Sequence, residues 1–140
     1  MQTKNGGVGK TTTALNLGVG LSKSGKKVLL VDADPQGDLT TCLGWRNQDE
    51  IEKTLGSVLE KVIKDISLEE NEAILHHSEG VDLVPSNIDL ETIEVGLVNI
   101  MSREYVLKSY IDQVKSKYDY VIIDCRPSLS MITLNALACS

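Results

Sequence analysis

Three short apolar runs limit how this chain can fold. Lys27-Val28-Leu29-Leu30-Val31-Asp32 and Tyr120-Val121-Ile122-Ile123-Asp124 are apolar at consecutive positions and close on an aspartate. A strand with one face in water alternates apolar and polar residues. An unbroken run means that both faces are buried, as in a parallel sheet covered by helices. Val81-Asp82-Leu83-Val84, stopped by Pro85, is a third strand candidate, and Pro35 and Gly37 break the chain after the first.

Helical spacing fills the gaps between these runs. From Thr11 to Lys23 the residues Ala14, Leu15, Leu17, Gly18 and Leu21 share a stripe, and Gly25 supplies a stop. A short helix is expected before Trp45. Further helices are expected over Leu55–Ile63, around Asn87–Leu97, over Arg103–Lys115 and over Ser130–Cys139. Strands alternating with helices specify an α/β fold with right-handed crossovers. Phe is absent and aromatic residues are 4% of the 140, so the core must be built from Val, Ile and Leu.

The net charge of −6 argues against a broad nucleic-acid surface, which needs clustered Lys and Arg. Cys42, Cys125 and Cys139 are odd in number and far apart, so they specify neither a disulfide framework nor a metal site. A reducing, cytoplasmic setting follows as the expectation. No apolar run is long enough to span a bilayer, so no membrane association is expected. The region from Arg46 to Gly80 is the least readable, and its Glu/Lys-rich segments read as solvated helix faces. His76-His77 reads as an ordinary surface or packing pair, since adjacent residues point different ways on a helix or a strand.

The chemistry is carried by Gly6-Gly7-Val8-Gly9-Lys10-Thr11-Thr12. Glycines let a backbone curl so that successive N–H groups face phosphate oxygens. Lys10 would reach the β- and γ-phosphates and the Thr11 hydroxyl would ligate Mg²⁺. The helix that starts here turns its positive end to the anion. The strict phosphate-loop pattern has a glycine where this chain has Lys4.

With that departure the segment resembles the deviant loop, K-G-G-x-G-K-T-T, of the ParA/MinD superfamily. Val31-Asp32-Ala33-Asp34-Pro35-Gln36-Gly37-Asp38-Leu39-Thr40 resembles the D-x-D-P-Q-G segment of its ParA/Soj partitioning branch. Val121 to Ser128 resembles the Walker B segment. Pro85-Ser86-Asn87 and Thr133-Leu134-Asn135-Ala136-Leu137 are similar to further family signatures, in the same order.

The resemblance implies a P-loop NTPase-like three-layer α/β domain with a parallel sheet, residues 1–140 forming a single partial nucleotide-binding domain. About three strands are expected, with 27–32 in the middle, and with the first strand and the C-terminal half missing. It implies ATP and Mg²⁺ as cofactors and Gly6, Gly7, Val8, Gly9, Lys10, Thr11 and Thr12 as the nucleotide-binding residues. Lys10 and Asp34 would be catalytic, Asp34 placing the attacking water, and Thr11, Asp32 and Asp124 would hold the metal. The partners it implies are a second copy of the chain, a ParB/Spo0J-like protein and nonspecific DNA, although the DNA-binding part is expected to be missing.

Two departures qualify the activity. The family's signature lysine belongs at position 5, where this chain has Asn5. Asparagine donates a hydrogen bond but brings no charge, and losing a cationic finger costs phosphoryl transfer ~10³-fold or more. Arg126 replaces the first proline after the Walker B aspartate and is expected to face solvent. The sequence therefore predicts a ParA-like ATP binder with impaired hydrolysis. The alternative is a non-catalytic module that dimerises through an exposed sheet edge, the 119–124 strand.

Overall fold

The computed structural model describes residues 4–96 and 100–124, for 4–10, 49, 94 and 100–104 the backbone alone. Among the described residues five helices and four strands follow one another. They are α1 Lys4–Lys23, β1 Val28–Asp32, α2 Asp38–Cys42, α3 Leu55–Ile63, β2 Leu75–His76, β3 Asp82–Val84, α4 Asp89–Gly96, α5 Ile100–Val114 and β4 Tyr120–Asp124. Short 3₁₀ turns lie at Gln48–Glu50 and Lys115–Lys117.

The sheet order is β2-β3-β1-β4. β1 pairs in parallel with β3 and with β4, the latter in a register that sets Asp32 beside Asp124. The three expected parallel strands are thus present, with 27–32 between the other two. The fourth, β2, was not anticipated. Its two residues run antiparallel to β3, pairing Leu75 with Leu83 and His76 with Asp82. Two residues are too few to show any period, so β2 exists only because β3 offers it an edge.

All five residues of β1 are buried. Alternation sends Val28 and Leu30 to one side, with Leu39, Leu43, Val81 and Leu83 and the flanking Leu15, Val19 and Leu21 of α1. Leu29 and Val31 go to the other, with Leu55, Val58 and Leu59 of α3 and Val106, Leu107, Tyr110 and Ile111 of α5. Two aliphatic cores sandwich one sheet, which is the three-layer architecture.

On α1 the packed stripe is Ala14, Leu15, Gly18, Val19 and Leu21. Leu17, placed by spacing on the same stripe, is 50% exposed. Gly18 explains how closely α1 lies on β1, because a Cβ there would come 2.8 Å from Leu30 Cδ2.

Helix α1 begins seven residues earlier than expected and runs through the glycine segment itself. The physical reason is propagation, since each residue added to an existing helix gains a hydrogen bond without a new nucleation cost. The Glu/Lys-rich segments of 46–80 are mostly exposed, but Thr54 and Glu72 are buried. Thr54 caps α3 by exchanging hydrogen bonds with Ser57, and Glu72 is buried in an ion pair with Lys61 at 2.7 Å. The chain turns back through left-handed Asp65, Asn71 and Ala73, which local pattern does not announce.

His76 pairs with Asp82, and the ring of His77 lies 6.0 Å from that of Trp45, so both histidines have surface or packing roles. Arg126, Cys125, Cys139, the Thr133–Leu137 signature and the expected helix over Ser130–Cys139 lie outside the described residues.

Candidate functional site at the carboxyl end of the sheet

Parallel strands deliver their last residues to one end of the sheet, where open α/β folds bind ligands. Here β1 ends in Asp32 and β4 in Asp124, and the two are register partners. The N–H of Ala33 donates to the Asp124 carbonyl at 2.8 Å, which extends the pairing by one residue and fixes the two aspartates side by side. Both are buried, at 0% and 4% exposure.

Helix α1 brings Thr11 to this pair. Its hydroxyl donates to Asp124 Oδ2 at 2.7 Å, a buried contact between residues 113 positions apart. Thr11 itself is 4% exposed, whereas Thr12 points outward. The glycines, Val8 and Lys10 lie directly N-terminal to Thr11 in α1.

Asp32 is held from the loop that follows β1. The N–H and the hydroxyl of Thr40 both donate to its Oδ2, at 2.9 and 2.7 Å, and the N–H of Asp34 donates to its Oδ1 at 3.2 Å. Burial pushes the Asp32 carboxyl up to about 7, the Thr40 and Asp34 donors oppose that, and the charge of Asp124 adds to it.

The loop turns on Gly37, whose φ of 68° suits glycine and whose Cβ, if present, would meet the Gln48 side chain within 2.6 Å. Gln48 Nε2 donates to the Gly37 carbonyl at 2.9 Å and to Thr41 Oγ1 at 2.6 Å, clamping the loop. Asp34 is half-buried and accepts from its own turn, Gln36 N–H at 3.0 Å. Burial, then the charge of Asp34, holds the Asp38 carboxyl above its usual range.

Of the residues singled out from the sequence, the structure brings Thr11, Asp32 and Asp124 together. Asp34 follows on the adjoining turn, with its carboxylate engaged locally. Three residues that sequence reasoning gave no role also belong here. Thr40 closes the aspartate-rich segment but carries no charge to attract notice. Ser86 donates its N–H to Thr40 Oγ1 at 3.0 Å across 46 positions. Cys42 is exposed, and its thiol is pushed up by burial first and then by Asp38, Asp124 and Asp32.

The donor set is one hydroxyl and two carboxylates. Among the described residues no group of three or more His, Cys, Asp or Glu could hold a metal by itself. A small, hard cation that keeps several waters and takes one or two carboxylates plus phosphate oxygens fits such a set, which is how Mg²⁺ binds. Among the described residues no helix is long and apolar enough to cross a membrane.

A family model described as AAA domain, AAA_31, matches residues 1–140. The sporulation initiation inhibitor protein Soj of Bacillus subtilis is 43% identical over 141 residues, covering 98% of this chain and 52% of Soj. The chromosome partitioning protein ParA of Myxococcus xanthus is 43% identical over 140 residues, covering 99% of this chain and 47% of its own length.

Among solved structures, a cobyrinic acid a,c-diamide synthase from Mycobacterium smegmatis with a bound ATP analogue and magnesium superposes with a TM-score of 0.76. It is 41% identical, over 95% of this chain and 52% of that one. A plasmid partition protein from Borrelia burgdorferi superposes with a TM-score of 0.71 at 31% identity, over 95% of this chain and 57% of that one. The chain therefore spans about half the length of the curated relatives it matches.

Proposed function

The chain belongs to the AAA_31 family and is a relative of the ParA/Soj partitioning ATPases, and from that premise we propose that it binds ATP with Mg²⁺ and hydrolyses it slowly. The carrying observation is the buried 2.7 Å hydrogen bond from Thr11 to Asp124. It sets the threonine of the phosphate segment beside the aspartate that ends β4, the two groups that would hold a nucleotide-bound cation.

In this reading Thr11 and Asp124 hold Mg²⁺ with Asp32 beside them. Mg²⁺ would neutralise the charge of the phosphate oxygens. Lys10 binds the β- and γ-phosphates, and the N–H groups of Gly6 to Thr12 complete the cradle. Asp34 orients the water that would displace ADP from the γ-phosphorus. In α1 most of those N–H groups are committed to carbonyls four residues back, so residues 4–9 must leave the helix to meet phosphate. Glycine makes that easy, since each one in a helix is about 1 kcal/mol less favourable than alanine. Asn5 offers no positive charge to the transferring phosphoryl group, so turnover should be slow.

Titration of a fluorescent ATP analogue with Mg²⁺ and with EDTA tests this. Saturable binding that is tighter with Mg²⁺ is expected, and Lys10→Ala should weaken it at least ~10-fold, about 1.4 kcal/mol. Wild-type binding that ignores Mg²⁺, or is indifferent to Lys10→Ala, contradicts the proposal. Turnover as fast as ~1 s⁻¹ contradicts the role given to Asn5.

A second copy of the chain, a cytoplasmic setting and, for the whole protein, a ParB/Spo0J-like partner and nonspecific DNA complete the proposal by family resemblance.

A further inference from the structure

Asp32 is positioned by a residue on another element. Thr40 gives Oδ2 two donors, its N–H at 2.9 Å and its hydroxyl at 2.7 Å. Among the described residues Oδ1 receives the longer 3.2 Å bond from Asp34 N–H. A hydroxyl has one proton. With that proton given to Asp32, the Thr40 oxygen is left as acceptor, and Ser86 N–H fills that role at 3.0 Å.

Asp32, Thr40 and Ser86 are each 0% exposed, so water does not compete for these bonds. The turn that carries Ser86 is itself fastened to the helical layer. Leu55 N–H, at the start of α3, donates to the Pro85 carbonyl at 2.8 Å. Asn87 accepts from Asp89 N–H at 3.0 Å and donates to the Gln48 carbonyl at 3.3 Å. One chain of hydrogen bonds thus runs from α3 and α4 through Ser86 and Thr40 to the carboxylate that ends β1.

We propose that Thr40 is a positioning residue for the cation site: its hydroxyl occupies Asp32 Oδ2, leaves Oδ1 for a divalent cation or its water, and ties that choice to the Pro85–Asn87 turn. This rests on the reading of Thr11, Asp32 and Asp124 as a Mg²⁺–nucleotide site. Partners of this kind, one step removed from the metal, typically change its affinity 10- to 100-fold.

Thr40→Val and Thr40→Ser decide it. Valine keeps the volume and the branch but removes the hydroxyl; serine keeps the hydroxyl. In nucleotide-free protein, amide hydrogen exchange at Ser86 should quicken at least ~10-fold in Thr40→Val and return in Thr40→Ser. With a fluorescent ATP analogue as probe, Thr40→Val should cut the affinity gain from Mg²⁺ about 10-fold. Its affinity in EDTA should stay within about 2-fold of wild type, and serine should restore the Mg²⁺ gain. Unchanged exchange at Ser86 overturns the link. A Thr40→Val protein that melts earlier but keeps the full Mg²⁺ gain shows a merely structural threonine and overturns the positioning role alone. Wild-type protein with no Mg²⁺ gain overturns the nucleotide reading, and the positioning role with it.

Discussion

Leu30→Ala is expected to destabilise the protein by about 2–5 kcal/mol, and Gly18→Ala is expected to help the truncated protein more than it helps the wild type. Leu30 is fully buried at the centre of β1, in the core under α1. Truncation removes its transfer free energy and leaves a cavity that a packed helix and sheet close only in part. Gly18 is the point of closest approach, where an added Cβ meets Leu30 Cδ2 at 2.8 Å.

In the wild type the ~1 kcal/mol helix-propensity gain of alanine over glycine is opposed by that contact. In Leu30→Ala the contact is gone and the methyl occupies part of the vacated space. Urea denaturation of the four proteins closes the cycle, with a coupling of at least about 0.5 kcal/mol expected. Strict additivity would mean that α1 does not rest on Leu30.

The stability of the wild type relative to Asp32→Asn is expected to fall as pH rises from about 5 to 8, by about 2–3 kcal/mol. Burial first, and Asp124 in addition, push the Asp32 carboxyl up to about 7 from 3.8, against the pull of its Thr40 and Asp34 donors. The folded state therefore holds a proton that the unfolded chain has already released. A raised folded value contributes stability that is complete below the unfolded value and lost as pH rises through the folded one. Asparagine keeps an acceptor for the loop and cannot ionise, so the difference between the two proteins isolates this carboxyl from the other acids. Glu72 acts in the opposite sense, since its hydrogen bond from Lys61 holds it below the usual range, but it is common to both proteins. A difference that stays flat with pH would mean that Asp32 is not desolvated as described.

Where the sequence was legible, short-range physics was enough. The β1 run, buried at every position, could be so only in a covered parallel sheet, whereas β4 leaves Tyr120 exposed and Ile122 half-buried; α3 was found at Leu55–Ile63 as expected because its apolar positions repeat at helical spacing. The family motifs ordered the strands, since 27–32 does lie between 82–84 and 120–124. Where reading failed, a partner outside the local pattern was decisive. β2 needs β3, the left-handed residues at 65, 71 and 73 need the turn they serve, and the exposure of Leu17 depends on where α1 settles on β1.

The chain's own residues determined the α/β class, the aliphatic core and the chemical character of the site. Apolar runs, helical periods, a glycine-lysine-threonine segment and strand-terminal aspartates are all local patterns, written within a few positions of one another. Only the tertiary structure decided that Thr11 donates to Asp124, and that Asp32 is held by Thr40 and, through it, by Ser86. Those contacts span 113, 8 and 46 positions. A hydrogen bond between distant residues exists only once the sheet has set its strands in register and the helices have closed over it, since packing and strand pairing fix its length and direction.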